Sequence, residues 1–212
     1  MINKFYEEYY EKNSEVDNKI KDKELVRKFL LRFIQRSKNI LDAGCGPGFE
    51  VGFLHKLGYN VEGCDVSKKG IEKANKINPG PKYFVCNLSE KPTKRKYDII
   101  YSVDVIEHIP DYDLFLRNVY NSLKEDGFLI LITPNANNIE NRIKFFLGIS
   151  NFLEQKPHLR FFSTNWLSHI LNGNGFKIKE SFGGTKRWPV LGISKSRLYK
   201  SLAGSIFLLA KK

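Results

Sequence analysis

Between Asn39 and Asn135 short apolar runs recur, most of them separated by segments of helical period, and that alternation leaves few architectures open. "NILDA" (39–43), "YNVEGCDV" (59–66), "KYFVCNL" (82–88), "YDIIYSVD" (97–104) and "GFLILITPN" (127–135) read as strands. "FEVGFLHKL" (49–57), "KKGIEKANKI" (68–77) and "DLFLRNVYNSLK" (113–124) read as helices. Parallel strands need crossovers, and such helices supply them. The last of these strands is nearly all apolar, which predicts a central place with both faces covered. Further on, "STNWLSHILNGNG" (163–175) predicts a helix capped by Ser163 or Thr164. "FKIKESF" (176–182) and "SIFLLAKK" (205–212) predict strands with no helix between them, hence an antiparallel pair. The expected fold is α/β: a doubly wound seven-stranded sheet, mostly parallel, with an antiparallel C-terminal strand.

Around this body we expect appendages. Residues 1–37 predict a helical cap, with Leu25, Phe29, Leu30 and Phe33 on one helix face; residues 38–212 form the main domain. Residues 136–165 predict an insertion on the substrate side, and 183–204 a long basic loop. The formal net charge of +12 admits an anionic partner. It is spread along the chain, apart from the C-terminal third, and no nucleic-acid module is recognisable, so nucleic acid is not the favoured partner. The three cysteines include no CxxC pair, which argues against a zinc site and for small buried hydrophobes. Runs such as "FLILI" are too short to span a bilayer, and the N-terminus lacks a signal pattern. We therefore expect a soluble, cytoplasmic protein.

In such sheets ligands bind beyond the carboxyl ends of the strands. "LDAGCGPGFE" follows the first strand with Gly44, Gly46 and Gly48. Glycine admits positive φ and close approach of a ligand to the backbone, and the helix N-terminus behind it offers free N–H groups. The spacing is GxGxG, and Glu50 beside it suits a cationic or zwitterionic amino-acid group better than phosphate. Asp65 ends the second strand, where a carboxylate can accept ribose hydroxyls. Asn87 and Leu88 follow the third, where an adenine edge could meet them.

These stretches, with "CDVS", "YDIIYSVDVIEHIPDYDLFLRNVYNSLKEDGFLILITPN" and the C-terminal "GF…SIFLLAKK", resemble the class I S-adenosylmethionine-dependent methyltransferases, a Rossmann-like family. The strand-5 stretch followed by "HLRFFS" resembles the small-molecule branch of ubiquinone/methionine type and its sugar- and lipid-pathway relatives. The resemblance implies S-adenosyl-L-methionine as cofactor. It implies that Asp42, Gly44, Cys45, Gly46 and Gly48 hold the methionine end, Asp65 the ribose, and Val66, Asn87 and Leu88 the adenine. Ser102 and Val103 would lie near the sulfonium. The family often has Asp where Asn87 stands; an amide oxygen can still accept from the exocyclic amine. The acceptor is expected to be a small molecule methylated on oxygen: a sugar, a lipid-linked compound or a quinone-like compound. The alternatives are an RNA (2′-O or tRNA) methyltransferase, a nicotinamide-dependent oxidoreductase, for which the GxGxxG spacing is missing, and a nucleoside-binding protein without catalysis.

Methyl transfer from a sulfonium is mostly a matter of placing the acceptor, and a base is needed only for a protonated acceptor. His108 is the candidate base, with Glu107 beside it. No metal is obligatory. The resemblance nevertheless extends to a divalent-metal set, here Asp104, Glu107, His108 and His158, in which Mg²⁺ would acidify the acceptor hydroxyl; those families carry Glu where Asp104 stands. Phe5, Tyr6, Tyr9 and Tyr10 suggest a lid over the donor. "IENRIKFFLGISNFL" (139–153) is basic and apolar at helical spacing and suits either the acceptor pocket or a peripheral membrane contact. Trp166 and Trp188 are expected on the same side.

Overall fold

The computed structural model describes residues 2–12, 23–148, 158–185 and 192–212. The expected alternation is realised as β1 (Ile40–Ala43), α3 (Phe49–Lys56), β2 (Val61–Asp65), α4 (Lys68–Ile77), β3 (Lys82–Val85), β4 (Tyr97–Val103), α5 (Tyr112–Ser122) and β5 (Leu123–Pro134). Two helices precede it, α1 (Ile2–Lys12) and α2 (Lys23–Phe33). After β5 come α6 (Ile139–Phe146), α7 (Thr164–Gly173), β6 (Lys177–Thr185), β7 (Gly192–Ser194), α8 (Arg197–Leu202) and β8 (Ser205–Lys211).

The strands form one sheet in the order β3-β2-β1-β4-β5-β8-β6-β7. Pairing is parallel from β3 through β5, and antiparallel where β8 joins β5 and β6. The chain order reverses between β1 and β4, so a crevice opens at their carboxyl ends. Period-two alternation feeds two apolar layers. Leu41, Ile100, Leu129 and Leu131 pack with Leu116 and Val119 of α5 and Leu167 and Leu171 of α7. Ile40, Ile99, Ile130 and Ile132 pack with Phe29 and Leu30 of α2, Leu54 of α3 and Ile71 of α4. Phe29 of the expected α2 face meets Phe207 and Phe182 with ring centroids 4.9 and 5.3 Å apart.

Two expectations need correction. The sheet has eight strands, not seven, because β7 pairs with the end of β6. And residues 183–204 are not simply a loop: the span holds the end of β6, then β7 and α8. Ser196 caps α8, its Oγ accepting from Tyr199 N at 3.1 Å. Gly183 and Gly184 let neighbouring chain lie directly on β6: a Cβ at Gly183 would come within 2.8 Å of Lys200 Cα. Two basic residues there are engaged, Lys195 with Glu180 at 2.8 Å and Lys200 Nζ with Ser181 Oγ at 3.0 Å. Trp188 lies outside the described residues.

Candidate active site

The glycine turn after β1 is bolted to β2. Gly44 N and Cys45 N both donate to Cys64 O, at 2.8 and 2.9 Å. Gly46 N donates to Asp65 Oδ2 at 2.8 Å, and Ser67 N to Asp65 Oδ1 at 2.9 Å. The Val66 N–H also bonds this buried carboxylate, so backbone donors hold both of its oxygens. Burial raises its pKa against the pull of those N–H groups.

All three glycines have positive φ, 89°, 49° and 72°. Their missing side chains, however, make room for the chain itself. A Cβ on Gly44 would overlap Val105, one on Gly46 would come within 2.5 Å of Tyr10 Oη, and one on Gly48 within 2.6 Å of the Tyr83 ring. The expectation that a ligand alone demands these glycines is thus too narrow.

A cavity of about 490 Å³ opens beside the turn. Gly44, Asp65, Val66, Asn87, Leu88 and His108 line it, as do Tyr6 and Tyr10 of α1 and Asp104. Asp42, Cys45, Gly46, Gly48, Ser102 and Val103 are not on its wall. Asp42 is buried, and burial raises its pKa. Ser102 ties β4 to β1, its hydroxyl donating to Ala43 O at 2.9 Å. Val103 packs in the apolar layer opposite α5. Asn87 shapes its own turn: Oδ1 accepts from Ser89 N at 3.0 Å and Nδ2 donates to Glu90 at 2.8 Å. Glu50, expected to favour a cationic ligand, instead accepts from Arg27 Nε of α2 at 2.8 Å.

Also on the cavity wall, the chain leaves β4 through Asp104, whose φ of 54° is unusual for a residue with a side chain. A 3-10 turn, Ile106–His108, follows. Glu107 is buried, with Oε2 accepting from Thr133 Oγ1 at 2.9 Å and Oε1 lying 3.9 Å from His108 Nε2. Leu159 N donates to Glu107 O at 2.9 Å and brings in His158, whose ring lies 4.8 Å from that of His108. Glu107, His108 and His158 each offer a ligand atom within 4.8 Å of the others. Asp104, the fourth residue of the expected set, stands outside that cluster. Glu107 Oε1 and His158 Nδ1 are buried and lack a hydrogen-bond partner. Burial, then the nearby Asp104 charge, pushes the Glu107 pKa up to about 8, and burial lowers that of His158. Buried polar atoms without partners are costly, and one carboxylate with two imidazoles is a donor set that suits a divalent transition metal. The residues therefore fit a cation.

The sequence reading missed Thr133 and Arg27 as neighbours of the site. Thr133 could have been suspected as the first polar residue after "LILI" on a central strand. Nothing local marks Arg27.

Residues 16–181 match the family described as "Methyltransferase domain". Among curated proteins, the chain is 31% identical over 142 residues to "Ubiquinone biosynthesis O-methyltransferase" of Pelagibacter ubique, covering 63% of this chain and 58% of that protein. It is 29% identical over 157 residues to the mitochondrial protein of that name from Bos taurus, covering 68% and 42%. The chain thus spans only part of the length of these relatives. Among solved structures, magnesium protoporphyrin IX methyltransferase from Synechocystis with bound SAH superposes with a TM-score of 0.63 at 21% identity, over 88% of this chain and 80% of that one, a likeness of fold. With more than half of its length in the family match, the chain belongs to the methyltransferase domain family.

Proposed function

We propose that the protein methylates a hydroxyl of a small, quinone-like acceptor with the help of a divalent cation. The observation that carries this reading is the cluster of Glu107, His108 and His158 next to the cavity. S-adenosylmethionine supplies an electrophilic methyl group when bound. What remains for the protein is to hold the acceptor in line and to make its oxygen nucleophilic. Asp65, which lines the cavity, would take the ribose hydroxyls, and Val66 and Leu88 would flank the base. Glu107, His108 and His158 would hold the cation, whose chemistry is to lower the pKa of a bound hydroxyl. His108, which lines the cavity, orients the acceptor in this reading instead of acting alone as base.

The acceptor class is supported by the names of the curated relatives and by α6, which follows β5 from the carboxyl edge of the sheet. None of its residues is buried; Phe145, Phe146 and Leu147 are 76%, 89% and 63% exposed. Among the described residues no helix is long and apolar enough to cross a membrane. We take α6 as a peripheral contact through which a lipid-soluble acceptor is reached.

The test is transfer of labelled methyl from S-adenosylmethionine to a catechol, with and without a chelator, beside structured RNA. Labelled catechol ether, lost on chelation, is expected. Label in RNA alone would overturn the proposal in favour of the RNA alternative.

A further inference from the structure

We propose that Glu7 is a positioning residue that latches α1 over the cavity and thereby sets how long a bound nucleoside stays. The inference rests on the cavity being the donor site. The first turn of α4 has backbone N–H groups that the helix itself cannot satisfy. Two are met locally: Ser67 N by Asp65 Oδ1 at 2.9 Å, and Gly70 N by Ser67 Oγ at 3.0 Å. The two between them go to α1, with Lys68 N donating to Glu7 Oε1 at 2.6 Å and Lys69 N to Glu7 Oε2 at 3.2 Å. A carboxylate is favoured at a helix N-terminus, where it accepts charge-assisted bonds. One turn further along α1, Glu11 meets Lys69 Nζ at 2.8 Å, but that pair is exposed.

The grip of Glu7 has a consequence three residues on. Tyr10 lies in a groove left by two glycines: its Oη would stand 2.5 Å from a Cβ on Gly46, and its ring 3.1 Å from one on Gly70. Tyr6 sits with its ring 6.3 Å from that of Tyr10 and 6.0 Å, edge-on, from His108. Both tyrosines line the cavity. One carboxylate therefore joins the helix that carries the cavity's aromatic wall to the turn that carries Asp65. Opening of α1 must break that junction, so departure of a nucleoside past Tyr6 and Tyr10 depends on Glu7.

The experiment is displacement of S-adenosylhomocysteine from the full chain, followed by stopped flow. It compares wild type, Glu7→Ala, Glu11→Ala, Tyr6→Ala/Tyr10→Ala, and the triple variant that adds Glu7→Ala to the last, with thermal midpoints alongside. We expect Glu7→Ala to speed dissociation about tenfold and Glu11→Ala less than about twofold, in keeping with two charge-assisted bonds to helix N–H groups against one exposed side-chain pair. In the variant without the tyrosines, Glu7→Ala should add nothing. An unchanged rate in Glu7→Ala overturns the latch. So does an equal acceleration with and without the tyrosines, since Glu7 would then act through α4 alone. Failure of the wild type to bind S-adenosylhomocysteine removes the donor reading itself, which separates that failure from the latch's own.

Discussion

Glu107 lies in the turn after β4 and His158 just before α7, yet Glu107 Oε1 and His158 Nδ1 are both buried without a hydrogen-bond partner in one cluster with His108. The backbone holds them there, because Leu159 and Arg160 both donate to the carbonyl of Glu107, at 2.9 and 3.3 Å. A cation would relieve both atoms at once. We expect Mn²⁺, titrated calorimetrically, to bind wild type, and Glu107→Gln or His158→Ala to bind it at least about tenfold more weakly. Thr133→Val should cost about tenfold, because it frees the carboxylate that the hydroxyl orients. Equal Mn²⁺ affinity in all four proteins would refute the cation site.

Asp65 is fixed by backbone donors on both of its oxygens. In Asp65→Asn the amide nitrogen must face either Gly46 N or Ser67 N, and one buried donor loses its acceptor. That costs about 1–3 kcal/mol locally and loosens the glycine turn. S-adenosylhomocysteine affinity should fall about ten- to a hundredfold, read by calorimetry. An unchanged affinity would remove Asp65 from the donor site.

Gly44 combines a φ of 89° with an absent Cβ against which Val105 packs. Gly44→Ala should destabilise the fold by about 1–3 kcal/mol, from backbone strain and from overlap with Val105. Adding Val105→Ala should recover the overlap but not the strain. Full recovery in the urea midpoint would mean that positive φ is not what the turn requires.

How much of this was readable beforehand follows from range. Strands β1, β2, β4 and β5 announce themselves through contiguous apolar residues, and the glycine turn and Asp65 follow from their places at strand ends. The pairing of His158 with Glu107 is suggested only by resemblance, because no local pattern encodes a contact between the turn after β4 and the segment before α7. Glu7 on α4, Arg27 on Glu50 and Thr133 on Glu107 are long-range polar contacts with no periodicity to betray them. Strand β7 is three residues long and α8 six, too short for a period to emerge.

Asp98 offers a pH test of the fold away from the site. Burial raises its pKa, but the N–H of Asn39 and the ammonium of Lys124, both at 2.9 Å, outweigh it, and the net pKa is lowered. A carboxylate whose folded pKa is depressed stabilises above the unfolded value, near 4, and loses that contribution as pH falls through the folded one. Solvent reaches the group, so Asp98→Asn should cost only about 1 kcal/mol at pH 7. The gap between the two urea midpoints should narrow steadily below about pH 4. A gap that stays constant to low pH would mean the charge plays no part.

The exposed face of α6 is the part of the surface whose exposure is hardest to account for in water. Phe145 and Phe146 contribute nothing to either apolar layer, so Phe145→Ser/Phe146→Ser should leave the thermal midpoint nearly unchanged. Inserted into an acyl boundary, each ring would gain about 2 kcal/mol, so the double variant should lose vesicle affinity by more than about tenfold. Charge near the helix is largely committed: Lys144 pairs with Glu140 at 2.7 Å, and Arg142 Nε donates to Asn137 O at 2.9 Å. Any preference for anionic vesicles must then come from the net charge of +12 over the whole chain and should fade with salt, while the aromatic contribution persists. Co-sedimentation with anionic and neutral vesicles at two ionic strengths separates the two terms. Wild type that stays in the supernatant under every condition would rule out the membrane contact, and the acceptor would then have to arrive through water.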